Sequence, residues 1–406
     1  MLQTIELQGG DREEQVRRLR LALREGCCYI AGSPLVRDDG GHLLRRCLAH
    51  LDEFYRLPVE DKLRLWTCTA STVCHRDAPT DVGNEHGGAN VIATGLRGYF
   101  PLGSESGDVQ LFERKESFAF GCGDARVESR HPHSASALIA RNVWPDGWCP
   151  TSSEHSSVAS PSEDLEELHS RMCDTAKELL PLIEAALPTS LPSLQEVAVD
   201  SSSDIQSFLR SFRYYGTRHY GCTDGVKDPK AWVYPRDTPE TRSTRQQLAI
   251  GSSLHTDWNL LTLVWASSKG LQMARSAGGD YEDVHPLEEL HLICNFGDFL
   301  SSFSKGAAVS PWHRVLSPAC EGVRDSLVFF FYPSAMCPAI TEPVYNLGRP
   351  LSLFTDQSQA GGELWDIAAS GLDTMAQVYA AKWKQVSKEQ FGSSPSIVAK
   401  QQNVQL

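Results

Sequence analysis

The sequence predicts an α+β fold in which a double-sheet β-barrel, or jelly roll, is flanked by helices. Helical patterns, with apolar residues at three- and four-residue steps, occupy much of the chain before residue 190. From residue 207 to 333 the pattern changes to short strand-like segments separated by Gly, Pro and polar residues. Many short strands with turn residues between them are typical of β-barrels and jelly rolls. A last helical pattern follows at 372–391.

The first 200 residues contain four predicted helices and two long irregular segments. Pro58 fits the start of one helix. The segments 68–95 and 124–162 are polar and rich in Gly, Pro or Ser, a composition that favours loops. In order, the predicted elements are a helix at 11–25, a strand at 27–31, a helix at 42–56, a helix after Pro58 and a strongly amphipathic helix from Asp164 to Leu187.

A series of strand-like segments then defines the predicted β-core. They read FLRSFRYYG, QLAIGSSLHTD, LLTLVWAS, GLQMAR, ELHLICNFGDFLSSF, WHRVLSP and DSLVFFFYP. We therefore expect one α+β unit with three regions. These are a mainly helical N-terminal region at 1–200 that packs on the core, a β-core at 205–340, and a C-terminal helix and tail at 341–406.

Composition restricts the classes of partner. The formal net charge of the 406 residues is −13, which disfavours binding to nucleic acid. No apolar run approaches the roughly 18 to 20 residues that span a bilayer, and the N-terminus lacks the features of a signal peptide. The 12 cysteines form no CxxC pair, as expected for thiols kept reduced inside the cell. We expect a cytoplasmic protein without a membrane or nucleic-acid partner; its oligomeric state is not predicted.

A metal site is predicted at the start of the β-core. His255 and Asp257 are two positions apart, so on a strand both side chains would point to one face. His313, in SPWHRVLSP, is the candidate third ligand from another strand. Two histidines and one carboxylate form the facial triad of non-haem Fe(II) oxygenases, which leaves adjacent coordination positions open.

The sequence also contains a control for this pattern. His75 and Asp77 form a second HxD, and His133 lies 56 positions after Asp77, the same interval as between Asp257 and His313. Spacing alone therefore does not separate the two sets. The second set lies in polar loop-like segments, whereas His255 and His313 adjoin strand-like ones, and rigid elements hold metal ligands better than loops do.

A carboxylate anchor is predicted on the last long strand. Arg324 and Ser326 in GVRDSLVFFFYP are again two positions apart and can face the barrel interior. A buried guanidinium needs an anionic partner, and its planar fork suits a carboxylate. Tyr215 could add a third donor. The alternative is an arginine paired with a nearby acidic side chain.

Most of the chain resembles the isopenicillin N synthase-like family of 2-oxoglutarate- and Fe(II)-dependent oxygenases. The matching pieces are YYG, HTDWNLLTLV, GLQM, VHPLEELHLICNFGDFLSSFSKG, SPWHRVLSP and RDSLVFFFYP, in the order and at the spacing of the family. The resemblance implies a double-stranded β-helix core, with Fe(II) bound by His255, Asp257 and His313. It also implies that Arg324, Ser326 and Tyr215 hold the distal carboxylate of 2-oxoglutarate. The implied reaction consumes O2, releases succinate and CO2, and oxidises a small biosynthetic or secondary-metabolite molecule by hydrogen abstraction.

Two departures from the family pattern bear on the substrate. Gly216 stands where many members have Pro after the paired tyrosines, and Arg213 stands where many have Asn. An inward-pointing Arg213 would favour a substrate with a carboxylate; the alternative is a salt bridge at the strand. Weaker candidate substrate contacts are Phe330, Arg97 and Tyr99. The polar segment 222–247 is either a lid over the substrate or a surface insertion.

Two alternative functions remain open. One is an Fe(II)-dependent oxidase of the same fold that does not consume 2-oxoglutarate, which succinate release would distinguish. The other is a ligand-binding protein that keeps the barrel without turnover. The sequence predicts neither the substrate nor whether the outcome is hydroxylation, desaturation or ring formation.

Overall fold

A computed structural model describes residues 2–37, 39–66, 96–102, 113–123, 138, 140–150, 159–199, 206–216, 250–274, 281–287, 290–318, 322–340, 344–346, 349–351 and 371–381. Several sequence predictions fall outside these residues. They are the loop at 68–95, most of the loop at 124–162, the segment 222–247, and the second set of candidate ligands His75, Asp77 and His133.

Helices precede and flank the sheets. In chain order they are α1 (Arg12–Glu25), α2 (Pro34–Arg37), α3 (His42–Arg56), α4 (Val59–Leu63), α5 (Pro161–Ala186), α6 (Leu194–Ala198) and α7 (Asp298–Phe303). The strands are β1 (Thr4–Glu6), β2 (Cys27–Ala31), β3 (Gly98–Phe100), β4 (Lys115–Phe120), β5 (Gln206–Tyr215), β6 (Ile250–His255), β7 (Leu261–Ala266), β8 (Leu271–Ala274), β9 (Tyr281–Val284), β10 (Leu292–Phe296), β11 (Trp312–Leu316), β12 (Val323–Tyr332), β13 (Val344–Asn346) and β14 (Arg349–Leu351).

Local capping explains where the main helices begin and end. The side chain of Asp11 caps α1, which ends at Gly26 in the left-handed conformation with φ 87°. Ser160 and Glu163 form a reciprocal capping box at the start of α5, with Pro161 in the first turn. The predicted helices at 11–25, 42–56 and 164–187 and the predicted strand at 27–31 are confirmed.

Two sheets form the core of the molecule. The larger has eight strands in the order β1-β2-β10-β7-β12-β5-β4-β3, and the smaller has four in the order β6-β11-β8-β9. Side chains of both sheets meet in one buried cluster, which includes Phe212 and Tyr214 of the larger sheet and Met273 and Val315 of the smaller. The sheets therefore face each other across a shared interior.

The opposite face of the larger sheet packs against the helices. Phe329 and Phe331 of β12 are fully buried there, together with apolar residues of α1, α3 and α5. Burying a side chain of this size stabilises the fold by about 1.5–3 kcal/mol. Among the described residues, no helix has the length and apolar character needed to span a bilayer.

The structure differs from the sequence prediction in two places. Strands β1 to β4 come from the predicted mainly helical region at 1–200, yet they lie in the same sheet as β5 and β12. The residues DFLSSF, predicted as part of a strand segment, form the helix α7. In the predicted C-terminal helix at 372–391, residues 375–381 are helical and residues 372–374 are not, while residues 382–391 lie outside the described residues.

Candidate active site

His255, Asp257 and His313 converge at one end of the shared interior. One ligand atom from each lies within 4.8 Å of the others. His255 and His313 are opposite each other on the paired strands β6 and β11, and their ring centroids are 4.2 Å apart. Their Nε2 atoms lie 3.7 Å and 3.6 Å from Oδ1 of Asp257. Since β6 ends at His255, Asp257 lies just beyond the strand on which it was predicted.

Backbone carbonyls orient both histidine rings. Nδ1 of His255 lies 2.7 Å from the carbonyl oxygen of Ser253, and Nδ1 of His313 lies 3.1 Å from that of Pro311. A carbonyl oxygen only accepts hydrogen bonds, so each Nδ1 donates, and in the neutral form of each ring the lone pair is on Nε2. This is the arrangement in which imidazole binds a metal through Nε2.

Two side chains of the larger sheet hold the carboxylate of Asp257. Thr262 donates its hydroxyl to Oδ2 at 2.5 Å, and the amide of Asn295 donates to the same atom at 2.8 Å. Oδ1 is thereby left to face the two histidines. The main-chain carbonyl of Asp257 also accepts from the amide of Asp298 at 2.7 Å, which ties the loop to the start of α7.

The protonation states of His255 and Asp257 favour binding of a cation between the three side chains. Partial desolvation and the neighbouring His313 lower the pKa of His255 below the ordinary histidine value, which favours the neutral imidazole at pH 7. Burial opposes ionisation of Asp257, but His313, His255 and its two hydrogen-bond donors outweigh this and hold its pKa below the ordinary value. With His313, the neutral imidazole of His255 and the carboxylate of Asp257 make up the two-histidine, one-carboxylate set that Fe(II) binds in facial triads.

Arg324 and Ser326 are buried on the inner face of β12, with 1% and 2% of their surface exposed. Burial lowers the pKa of Arg324 from the ordinary arginine value. Its Nε donates to the carbonyls of Ser268 and Lys269, whereas Nη1 and the hydroxyl of Ser326 have no hydrogen-bond partner among the described residues. Buried donors without partners are costly, and a bound carboxylate would satisfy both.

The tyrosine beside this anchor is Tyr214, and the prediction of Tyr215 is corrected. Tyr214 is directly opposite Arg324 on the paired strands β5 and β12, and the guanidinium lies 5.1 Å from its ring centroid. Consecutive residues of a strand point to opposite faces. Tyr215 therefore faces the helices, where its hydroxyl donates to Glu116.

Two predicted substrate contacts also lie on the helix-facing side. Arg213 donates to Asp325 at 2.8 Å and to Asp52 at 2.9 Å, so the alternative of a salt bridge is the one observed. The hydroxyl of Tyr99 donates to Glu116 at 2.5 Å, the carboxylate that also binds Tyr215. These two side chains therefore do not face the metal ligands.

Phe330 and Arg97 lie nearer the interior. Phe330 is opposite Thr262 on β7, and its ring packs against Phe208 with centroids 5.0 Å apart. Arg97 is buried, donates to the carbonyls of Leu96 and Leu138, and lies over the ring of Phe208 at 5.8 Å. The roles of both residues toward a substrate remain predictions.

Sequence reasoning missed Arg210, Thr262 and Asn295. Arg210 shares the inner face of β5 with Phe212 and packs its guanidinium over the rings of Phe100 and Phe212, at 4.3 Å and 4.7 Å. Thr262 and Asn295 are opposite each other on β7 and β10. The available signal was a single polar residue inside each of the apolar runs LTLVWA and LICNF, where a buried polar group needs a partner.

Comparison with known proteins agrees with this geometry. Residues 231–333 match the family model described as the 2OG-Fe(II) oxygenase superfamily. The 2-oxoglutarate-dependent dioxygenase citB of Monascus ruber is 27% identical over 239 residues, 58% of this chain and 62% of that protein. A 1-aminocyclopropane-1-carboxylate oxidase of Dictyostelium mucoroides is 34% identical over 118 residues, 29% of this chain and 30% of that one.

A solved structure shares the fold. A full-length Neurospora crassa protein, crystallised in complex with alpha-KG and thymine, superposes with a TM-score of 0.55 at 18% identity, covering 94% of this chain and 97% of that one. This similarity shows that the two chains share an overall fold.

Proposed function

The chain belongs to the 2OG-Fe(II) oxygenase superfamily, and from this premise we propose that it is a dioxygenase that oxidises a small molecule while converting 2-oxoglutarate and O2 into succinate and CO2. The observation that carries the proposal is the pairing of two features. A triad lies at one end of the interior, and Arg324 and Ser326 have buried donors without a hydrogen-bond partner in the part of the chain that the structure describes. In this proposal the two facing sheets form a double-stranded β-helix.

Each group has a defined role in the proposed reaction. His255, Asp257 and His313 would hold Fe(II), and Arg324, Ser326 and Tyr214 would hold the distal carboxylate of 2-oxoglutarate. The metal with its co-substrate supplies the oxidising chemistry. The protein fixes the positions of the reacting groups: the carbonyls of Ser253 and Pro311 keep both Nε2 atoms directed at the metal position, and the buried anchor fixes the co-substrate at its far end.

The mouth of the proposed site lies on the side of His255. This side chain is 44% exposed, whereas Asp257 and His313 are 9% exposed. In this proposal a substrate approaches from the His255 side. With Arg213 in salt bridges, recognition of a substrate carboxylate falls in this proposal to Arg210, whose guanidinium packs between two rings on the inner face.

An oxidase that does not consume 2-oxoglutarate is the second candidate, because one relative is named an oxidase. The anchor distinguishes the two only in part, since it could hold a carboxylate of the substrate itself. Release of succinate from 2-oxoglutarate distinguishes the two candidates, because only the dioxygenase consumes 2-oxoglutarate. The measurement does not require succinate release to be tightly coupled to oxidation of a substrate.

The proposed function is tested without knowledge of the substrate. Fe(II) and then 2-oxoglutarate are added to the metal-free protein in the absence of oxygen, and the visible metal-to-ligand charge-transfer band of a chelated 2-oxo acid is recorded. We expect the band in the wild type and its loss in Asp257→Ala. The matched control is Asp77→Ala, which alters the second HxD pattern and should keep the band.

The possible outcomes separate the candidates. Iron binding without a band would favour the oxidase, and no iron binding would favour the non-catalytic ligand-binding protein. A band lost in Asp77→Ala but kept in Asp257→Ala would move the metal site to the second set of ligands.

A further inference from the structure

The strand that carries His255 is irregular next to this ligand. β6 is an edge strand of the smaller sheet. His255 is opposite His313 and Ser252 is opposite Val315. Between these two pairs β6 advances by three residues and β11 by two, so β6 contains one extra residue. Such a β-bulge leaves a residue outside the regular ladder, and its backbone groups need other partners.

A buried ion pair provides one of those partners. Oε1 of Glu113 accepts a hydrogen bond from the amide of Ser253 at 2.5 Å, and Oε2 of Glu113 lies 2.8 Å from Nζ of Lys115. Lys115 also donates to the hydroxyl of Ser252 at 3.1 Å. Glu113 and Lys115, which we call the bracket, are 2% and 9% exposed. The bracket thus fastens two consecutive residues of β6 to the start of β4.

The bracket connects directly to the orientation of the metal ligand. The residue whose amide binds Glu113 is the one whose carbonyl accepts from Nδ1 of His255 at 2.7 Å. Holding the backbone of Ser253 therefore fixes the direction of that carbonyl. The carbonyl in turn fixes the tautomer and the plane of the imidazole, and with them the aim of Nε2.

We propose that Glu113 and Lys115 are positioning residues that hold His255 ready to bind the metal. The inference rests on the proposed function, because it concerns the same metal site. Three contacts in series carry it, from Lys115 to Glu113, from Glu113 to the amide of Ser253, and from the carbonyl of Ser253 to His255.

The test compares two buried ion pairs of similar geometry. Lys62 and Glu116 form the second pair, on the helix-facing side of β4, at 2.7 Å. Their side chains are 5% and 3% exposed, and those of Lys115 and Glu113 are 10% and 3% exposed. Lys115→Met breaks the bracket, and Lys62→Met is the matched control. Two quantities are measured for the wild type and for each variant. They are the affinity for Co(II), by competition with a chelator, and the thermal stability in the absence of metal.

We expect both variants to lose thermal stability and only Lys115→Met to lose metal affinity, by about 10-fold or more, as is usual when an outer partner of a metal ligand is removed. Glu113→Gln, a milder change, should show the same selective loss if Lys115→Met does not fold. Unchanged Co(II) affinity in the bracket variants, or an equal loss in Lys62→Met, would overturn the inference. A wild type that binds no Co(II) would overturn the proposed function itself, and the bracket would then serve only the fold.

Discussion

Tyr214 and Tyr215 are neighbours in the sequence but face opposite sides of one strand. The ring of Tyr214 lies beside the guanidinium of Arg324, whereas the hydroxyl of Tyr215 binds Glu116 among the helix-facing side chains. A carboxylate held by Arg324 would thus lie within reach of the first tyrosine and not of the second. The pair offers a matched comparison within one strand.

We expect Tyr214→Phe to raise the KM for 2-oxoglutarate by about 10-fold or more, because a hydrogen bond to a charged group is worth about 1.5–3 kcal/mol. Tyr215→Phe should leave this KM unchanged and lower the thermal unfolding midpoint. Succinate release at varied 2-oxoglutarate concentration, with differential scanning fluorimetry on both variants, measures the two effects. The opposite pattern would restore Tyr215 as the anchor residue.

The residue scale also shows why the convergence of His255, Asp257 and His313 was predictable and the tyrosine was not. His255 and Asp257 are recognisable because the chemistry of a facial triad restricts residue type and order. On β5, every residue from Gln206 to Tyr215 is buried, since one face meets the other sheet and the other face meets the helices. No hydrophobic alternation therefore indicates which residues point inward, and an error of one position exchanges the two faces.

At the scale of elements, α3 and α5 are joined by a buried carboxylate. Asp164, 3% exposed, accepts two hydrogen bonds from Arg46 at 2.7 Å and 2.9 Å and lies 3.2 Å from Nε2 of His50. It also lies in the first turn of α5, where the helix dipole favours a negative charge. Burial opposes its ionisation, but Arg46 and His50 outweigh this and hold its pKa below the ordinary value of 3.8.

We expect Asp164→Asn to lower the free energy of unfolding by about 1–2 kcal/mol at pH 7. This is less than for a fully buried ion pair, because the Arg46 side chain is half exposed and solvent screens its charge. A group whose pKa is lowered by folding stabilises the protein above its unfolded pKa and loses this effect as the pH falls. The difference in unfolding free energy between the wild type and Asp164→Asn should thus be present at neutral pH and narrow as the pH falls below 3.8. Urea unfolding across this range measures it.

The control for this prediction is Arg17→Ala, which breaks a solvent-exposed ion pair with Glu14 on α1. Exposed pairs of this kind contribute little to stability, so the unfolding midpoint should not move. A wild-type to Asp164→Asn difference that grew at low pH would contradict the assigned role of the carboxylate.

At the scale of the molecule, the sequence predicted a helical region and a β-core, but not how they combine. Strand patterns in the second half were detectable because each short apolar run is bounded by turn residues. β3 and β4 have 3 and 6 residues and lie between long polar segments. Their place beside β5 depends on pairing between distant parts of the chain, which local periodicity does not report.

The candidate metal site lies where the two sheets meet. His255 and His313 belong to the smaller sheet, while Thr262 and Asn295, which hold Asp257, belong to the larger. A metal bound by all three ligands would therefore link β6 and β11 to β7 and β10 through Asp257. Because the unfolded chain has no such site, metal binding adds to the stability of the folded state.

We expect Mn(II), an oxygen-stable substitute for Fe(II), to raise the thermal unfolding midpoint of the whole protein. At 100 times its Kd, a ligand that binds only the folded state adds about 2.7 kcal/mol. With about 2.1 cal/mol/K of unfolding entropy per residue, this corresponds to about 3 °C for a chain of this size. Excess chelator should reverse the shift, and Asp257→Ala should abolish it while Asp77→Ala keeps it. A shift that persisted in Asp257→Ala would mean that the stabilising metal binds elsewhere, and that the triad does not join the two sheets.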